Sequence, residues 1–370
     1  MTESCAPGWW RVPRTCSPTP DPAPDPSGDP TLAELGEAGL IGRLACFAPP
    51  GQFQDDAAVL DGGDSLGNRL VVNTDVLVEG VHFSAATTEP FHVGWRTAAA
   101  NLSDLAAMGC SAACGLTVGL VAPAGTAWSW VEAVYRGLCD CLDAHGGGAL
   151  LGGDCSAGSQ RILAVTALGR LGPAGPIRRA DGRPGDALVT TGAHGLSRLG
   201  LALLLRELAP ARVEQLPAGL VERALAAHRM PVPRFDAVRA LAASRPAHLA
   251  WRVGGTDSSD GLAAAALAVA AASGCRAVLE RAALPIDPDM APLDEAENWC
   301  LGGGEDFELV LALPPAWADA LVRQMPESRR FGRLVPTDGG GPFATAAANL
   351  SWDDGSAIPA QAGGFSHFAA

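Results

Sequence analysis

Lysine is absent. All 26 basic residues are arginine, which excludes a Walker A phosphate loop, the protein-kinase lysine and Schiff-base chemistry, since each needs an ε-amino group. A C-x-x-C pair is also missing, so the ten cysteines carry no zinc-ribbon spacing. Cys110/Cys114 and Cys139/Cys141 read as small packing residues on helices, and reduced thiols are the default expectation. No apolar run reaches the roughly 18 residues of a membrane span; the Ala-rich stretch 261–274 is too short. The opening MTESCAPGWWRVPRTC has Pro and Arg where a secretory leader needs a continuous apolar core. A cytoplasmic protein with no membrane partner is therefore expected. Positive charge is scarce too, with 40 acidic against 26 basic residues and a formal charge of −14. Nucleic acid is not an expected partner, because phosphate backbones are gripped by clustered cations. A small phosphorylated molecule remains compatible with this charge if metal ions invert the local field.

Against these absences stand 370 residues, 48% hydrophobic and 18% charged, enough for about two domains at roughly 150 residues each. Residues 1–30 (SPTPDPAPDPSGDP and its flanks) are too rich in Pro, Asp and Ser to form a packed core and read as a disordered extension. A short helix follows, capped by Asp29 or Thr31. Strand AAVLD, a hairpin-type turn at Gly62–Gly67 and strand 70–74 come next. Helix 93–108, strand 115–121 and helix 127–144 lead to the glycine stop at 146–148, a short strand (ALL) and the run GGDCS. Strand 162–171 closes the first half, and GPAGPIRRADGRPG reads as a linker or exposed loop. The second half opens with strand 186–191 and helix 196–208. Helices near 218–228 and 234–243 are separated by MPVP. Helix 262–273, a strand near 276–280, an apolar strand after LGGGED and two weak strands near 331–335 and 348–352 complete the pattern. This alternation predicts an α/β (α+β) chain in two domains, 31–172 and 173–370, with layered packing.

Acidic residues recur at glycine- or strand-bounded corners: Asp55/Asp56, Asp75, Asp104, Asp154, Asp257/Asp260 and Glu305/Asp306. The most informative stretch is 70–109. Thr74 and Asp75 sit at an expected strand end there, His82 follows seven residues later, and Asn101 and Asp104 share one helix face. Oxygen ligands on a strand and a facing helix suit a hard cation such as Mg²⁺. Each acid alone has a plainer role as helix cap, exposed charge or turn residue. Jointly, carboxylates flanked by apolar residues and glycine need a cation to offset their desolvation. GGDCS and GGGED bring backbone N–H groups within reach of phosphate, or are simply tight turns. Arg178 and Arg179 clamp a phosphate oxygen or form a solvated pair. Tyr135, the only tyrosine, packs in the core or stacks on a nucleobase.

The runs NTDVLVEGVHF, NLSDLAAMG, LLGGDCS, DSSDGL and LGGGEDFEL, in this order and spacing, resemble the thiamine-monophosphate kinases. That family lies within the aminoimidazole ribonucleotide synthetase-like superfamily, and the resemblance covers residues 31–370. It implies an N-terminal ATP- and Mg-binding domain that contributes strands to a barrel between two copies, and a C-terminal α/β domain completing the substrate site. The implied reaction is transfer of the γ-phosphoryl of ATP to thiamine monophosphate, giving thiamine diphosphate and ADP in a homodimer.

Carried over by motif, Asp56, Asn73, Thr74, Asp75, Asp104, Asp154, Asp257 and Asp260 are the implied ligands of several Mg²⁺ ions. Gly153, Asp154, Arg179, Ser259 and Tyr135 are implied for ATP, and His82, Glu305 and Phe365 for the thiamine phosphate. No catalytic nucleophile or base is assigned, because the acceptor phosphate is already ionised near neutral pH. Gln54 stands where the family commonly has glycine before the paired aspartates, so Asp56 rather than Asp55 is carried over. Selenophosphate synthetase, which needs a lysine, fits poorly. An aminoimidazole ribonucleotide synthetase-like enzyme and a non-catalytic sensor of thiamine phosphates or nucleotides are the alternatives.

Overall fold

A computed structural model describes residues 30–358, apart from 50, 52, 62–68, 146, 173 and 338–348. All but the last residue of the expected extension at 1–30, the turn at Gly62–Gly67 and Phe365 lie outside the described residues. The chain divides into two units, Met1–Gln54 with Ser366–Ala370, and Asp55–Phe365. In the first, α1 (Leu32–Leu44) begins with a capping box in which Thr31 and Glu34 satisfy each other's backbone N–H groups. Gly36, at φ 62°, kinks this helix.

The second unit holds two sheets. Its first half runs β1 (Ala58–Asp61), β2 (Arg69–Val78), α2 (Pro90–Ala107), β3 (Cys110–Ala122), α3 (Trp128–His145), β4 (Ala149–Ala157) and β5 (Ile162–Leu171). Its second half runs β6 (Ala187–Thr190), α4 (Leu196–Leu205), α5 (Pro210–Val213), α6 (Ala218–Arg229), α7 (Phe235–Ser244), β7 (Gly254–Asp257), α8 (Leu262–Ala272), β8 (Cys275–Leu279), α9 (Ala296–Gly302), β9 (Leu309–Leu313), α10 (Pro315–Gln324), β10 (Arg329–Pro336) and β11 (Leu350–Trp352). The first sheet has the order β1-β2-β5-β3-β4, antiparallel except for the β3–β4 edge. The second has the order β11-β8-β10-β6-β9-β7, antiparallel except for β8–β11.

Period-2 burial explains how the two halves join. Leu309, Leu311 and Leu313 of β9 enter a core that also contains Val71, Leu163 and Val165 of the first sheet. Val310 and Ala312 point the other way, into a second core beneath α8. Trp317 and Leu321 of α10 and Phe235 of α7 fill the space between the sheets on the first side.

Helices α2 and α3 cover the inner face of the first sheet and cross through two glycines. A Cβ at Gly94 would sit 1.9 Å from the Val134 carbonyl oxygen, and one at Gly137 would sit 1.9 Å from the Phe91 carbonyl oxygen. Only backbone without side chains permits that approach. The outer face of the same sheet is not covered by the described residues: Leu60 is 46% exposed and Val76 47%.

Several expectations need correction. Asp75 lies inside β2, because Val76–Val78 continue the pairing with β5 instead of turning. GGDCS is not a turn but the body of β4, held in parallel register by β3. Cys110 and Cys114 belong to β3, not to a helix, while Cys139 and Cys141 are on α3 as expected. Cys110, Cys114, Cys139, Cys141, Cys155, Cys275 and Cys300 are free thiols. Strand β7 (GGTD) and helix α10 were not foreseen. Two glycines give β7 no strand propensity of its own, and pairing with β9 imposes the conformation.

The glycine crossing is testable by substitution. Gly94→Ala should destabilise the protein by about 2–3 kcal/mol despite alanine's better helix propensity, since backbone must move to accept the methyl group. Chemical denaturation would measure it, and an unchanged midpoint would contradict the close crossing.

Candidate active site

Four separated stretches converge where β2 faces α2. Alternation along β2 sends Asn73 and Asp75 inward and Thr74 outward. Asn73 Nδ2 donates to Asp104 Oδ2 at 2.7 Å and approaches Asn101 Oδ1 at 3.4 Å. That Asn101 oxygen also accepts the Asp75 backbone N–H at 3.3 Å. From β7, Asp257 Oδ2 accepts Ser103 Oγ of α2 at 2.5 Å. Asp56, just before β1, accepts Thr256 Oγ1 at 2.8 Å and pairs through the same Oδ1 with Arg179 Nη2. Its Oδ2 is buried without a partner among the described residues, as is Asn73 Oδ1. Carboxylate oxygens of Asp56, Asp104 and Asp257 lie within 4.8 Å of one another.

The electrostatics of this cluster are unfavourable. Burial, then the neighbouring Asp56, pushes Asp75 up to about 6. Burial, then Asp56, pushes Asp257 up to about 7, against the pull of Ser103 and Arg179. Asp104 is raised well above the usual carboxylate range by burial and by Asp75, Asp257 and Asp56. Burial outweighs Arg179 at Asp56, which is also raised. Like charges packed in a dry interior hold their protons until something positive replaces them. All the inward donors are hard oxygens, which suits a hard divalent cation and not zinc.

The other expected site residues are more dispersed. Thr74 is exposed on the outer sheet face, where its hydroxyl meets that of Thr166 at 2.8 Å, so only its backbone carbonyl is on offer to the cluster. Asp154 pairs with Gly119, in line with Ala164 and Val76, and shares that outer face on the edge strand. It is not a member of the close carboxylate group. Gly153 is required beside it, because a Cβ there would fall 1.9 Å from the Val118 carbonyl oxygen. Tyr135 packs against the first core, and burial, then nearby Cys155, raises its hydroxyl above the usual value.

Ser259 and Asp260 are exposed in the β7–α8 turn. Arg179 lies in a single 3₁₀ turn, its Nε 3.2 Å from Thr256 Oγ1. His82 follows β2 in a turn, with Nδ1 accepting the Val78 N–H at 3.0 Å, which places the ring proton on Nε2. Glu305 sits at φ 58° and donates its N–H to the Ser259 carbonyl at 2.7 Å.

Asp306, the neighbouring acid, is structural: it accepts the N–H groups of Gly195 and Ser197 at 2.7 and 3.1 Å and caps α4. Ser258, buried behind the site, accepts the Glu308 N–H at 3.1 Å. Sequence reasoning missed Ser103, Thr256, Arg96 and His228. Ser103 stands inside the NLSD run that flagged its neighbours, whereas nothing local marks Arg96 or His228.

Two family profiles match the chain: AIR synthase related protein, N-terminal domain, over residues 54–171, and its C-terminal domain over residues 183–340. The chain is 49% identical to the thiamine-monophosphate kinase of Synechococcus elongatus over 297 residues, 80% of this chain and 88% of that protein. It is 44% identical to the one from Prochlorococcus marinus over 327 residues, covering 88% and 94%.

The chain belongs to the thiamine-monophosphate kinase family.

A solved structure of a thiamine-monophosphate kinase family member, AaThiL complexed with AMPPCP and TMP, superposes with a TM-score of 0.74 at 26% identity. The match covers 92% of this chain and all of that one. The expected two-domain, aminoimidazole ribonucleotide synthetase-like α/β fold is therefore correct.

The buried carboxylates make a stability prediction for this kinase-family site. Asp257 has a folded-state value of about 7, above the unfolded value of about 3.9. The folded state therefore holds the extra proton, and this group's contribution improves as pH falls from about 7 toward 4. In chelator at about pH 8, Asp257→Asn should raise stability by on the order of 2 kcal/mol, an advantage that shrinks by about pH 5.5. Calorimetry of both proteins at both pH values measures it, and a variant less stable at pH 8 would contradict the electrostatic reading.

Proposed function

We propose that this protein is an ATP-dependent phosphotransferase that converts thiamine monophosphate to thiamine diphosphate, the last step in making that coenzyme. The observation that carries the reading is the close set of half-buried Asp56 and Asp104 and buried Asp257, whose oxygens lie within 4.8 Å of one another, in a chain of this family. Two polyanions must meet in a protein of formal charge −14, and a carboxylate cluster of this kind serves that purpose only with cations between it and the phosphates. The orphaned Asp56 Oδ2 and Asn73 Oδ1 supply ready oxygen ligands.

Asp56, Asn73, Asp75, Asp104 and Asp257, with Thr74 through its carbonyl and Asp154 and Asp260 from the exposed margins, would hold several Mg²⁺ ions. When bound, Mg²⁺ neutralises charge on the phosphate oxygens. Arg179 grips one Asp56 oxygen and leaves the other free, so its remaining donors serve a nucleotide phosphate. Gly153, Asp154, Ser259 and Tyr135 complete the ATP side. His82, Glu305 and Phe365 hold the acceptor.

An oxygen of the thiamine monophosphate phosphate bonds to the γ-phosphorus of ATP while the bond from that phosphorus to the β-bridging oxygen breaks, releasing ADP. The acceptor oxygen carries no proton to remove, so the residues position and neutralise and do not act as a base.

The outer face of the first sheet supports a homodimer. Leu60, Val76 and Leu151 are 46%, 47% and 55% exposed there or on its edge, and a second copy would cover them. A cytoplasmic location suits a reaction that consumes ATP, and no helix of the described residues is long and apolar enough to cross a membrane.

Purified protein with ATP, Mg²⁺ and thiamine monophosphate should form thiamine diphosphate and ADP in equal amounts, followed chromatographically. Asp75→Asn should lower kcat by roughly 100-fold or more while the fold survives. A folded wild-type protein that binds ATP but makes no product would leave a sensor as the better description. Light scattering should give a dimer, and Val76→Glu should shift it toward monomer; a wild-type monomer at micromolar concentration would refute the dimer.

A further inference from the structure

Arg96, on α2 between the first core and α6, is a buried cation that the reaction as described does not use. It is 3% exposed. Its Nη1 donates to the His228 carbonyl at 2.6 Å and faces that residue's ring Nδ1 at 3.2 Å. Its Nη2 pairs with Glu305 Oε1 and reaches the His82 carbonyl at 3.5 Å. One guanidinium thus touches both described residues assigned to the acceptor, although they lie 223 positions apart in the chain (305 − 82).

A buried arginine is costly unless paired, and Glu305 is its carboxylate partner. His228 does not compete for that carboxylate as a second cation. Burial, then Arg96 and two further arginines, pushes its imidazole down to about 3, so it is neutral. The second Glu305 oxygen lies 3.8 Å from His228 Nδ1, too far for a hydrogen bond, and the side chain remains 34% exposed. The Glu305 backbone is itself unusual. Three of four successive residues turn at positive φ, Gly304 at 67°, Glu305 at 58° and, after Asp306, Phe307 at 52°, and non-glycine residues hold that conformation only where their surroundings fix it. Arg96 is also not a fully satisfied strut, since its Nε has no partner among the described residues.

We infer that Arg96 is the positioning residue of the acceptor site: its fork fixes the His82 turn and one Glu305 oxygen, and so aims the other at the cationic, amine-bearing half of thiamine monophosphate. This deepens the acceptor assignment made above and rests on it. Arg96 does not touch the reacting phosphates. It acts by pre-setting a carboxylate that would otherwise rotate freely and sample the relaxed backbone.

The test is steady-state kinetics on the full chain, with thiamine monophosphate and Mg-ATP varied separately and wild-type turnover scored first. Arg96→Gln should raise KM for thiamine monophosphate by about tenfold or more, with kcat and KM for ATP within about threefold. Arg96→Lys keeps the charge but loses the fork, and should recover only part of that KM. In a Glu305→Gln background, Arg96→Gln should add less than about twofold, because its effect runs through the missing carboxylate.

A folded Arg96→Gln enzyme with unchanged KM for thiamine monophosphate overturns the inference. So does an equal rise in both KM values, or a full multiplicative effect in the double variant. Should Arg96→Gln fail to fold, Arg96→Lys decides alone: a KM equal to wild type overturns the role. Absence of wild-type turnover would instead overturn the acceptor reading itself, and is seen before any variant is compared.

Discussion

Mutual repulsion among Asp56, Asp75, Asp104 and Asp257 is the constraint around which the rest is arranged. Burial first, and then like charge from neighbouring acids, raises the proton affinity of all four at the meeting point of β2, α2, β7 and the segment before β1. No fold would gather them for stability, since buried ionised carboxylates are costly unless compensated. The surrounding structure tolerates the cost by supplying partial answers: Arg179 on one oxygen of Asp56, Ser103 on Asp257, and Asn73 on Asp104. Each leaves oxygen lone pairs over. The site is stable enough to form and electrostatically incomplete once formed, which is the condition for binding cations tightly.

The scaffold answers this by making the remaining contacts apolar and close. The first core is continuous from the first sheet through α7 and α10 to β9, so the two halves of the larger unit share packing and do not merely touch through the site. Asp257 and Ser103 come from different halves and still meet at 2.5 Å. The Gly94/Gly137 crossing lets α3 lie against α2 without a layer of side chains between them, which keeps α2 pressed on the strands that carry its partners.

What could be read from the chain alone followed locality. NLSD placed polar residues inside an apolar helix, a pattern that makes sense only if they face something hydrophilic, and Asn101 and Asp104 do. The longer helices, α10 excepted, were legible from their period and glycine stops. β4 was misread because its glycines look like a turn, while the reason for them is a neighbouring strand whose carbonyl would strike any Cβ. β7 was invisible because its conformation is dictated by β9, more than fifty residues later in the chain. Arg96 and Glu305 are 209 positions apart. No local pattern encodes that pairing, since a single arginine in an amphipathic helix ordinarily points to solvent.

Helix α2 carries Arg96 toward Glu305 and, eight residues on, Asp104 toward the acidic cluster. At 1.5 Å per residue these groups are separated by roughly 12 Å along the axis. Both side chains are hydrogen-bonded, Arg96 buried and Asp104 half-buried, so the helix acts as a fixed gauge between them. Inserting or deleting one residue between 97 and 103 would turn one end by about 100° relative to the other, and no side-chain adjustment could restore both sets of partners. Length variation should therefore be barred from this segment. The spacing between the guanidinium that holds Glu305 and the carboxylate that meets Asp257 is written into a count of peptide units.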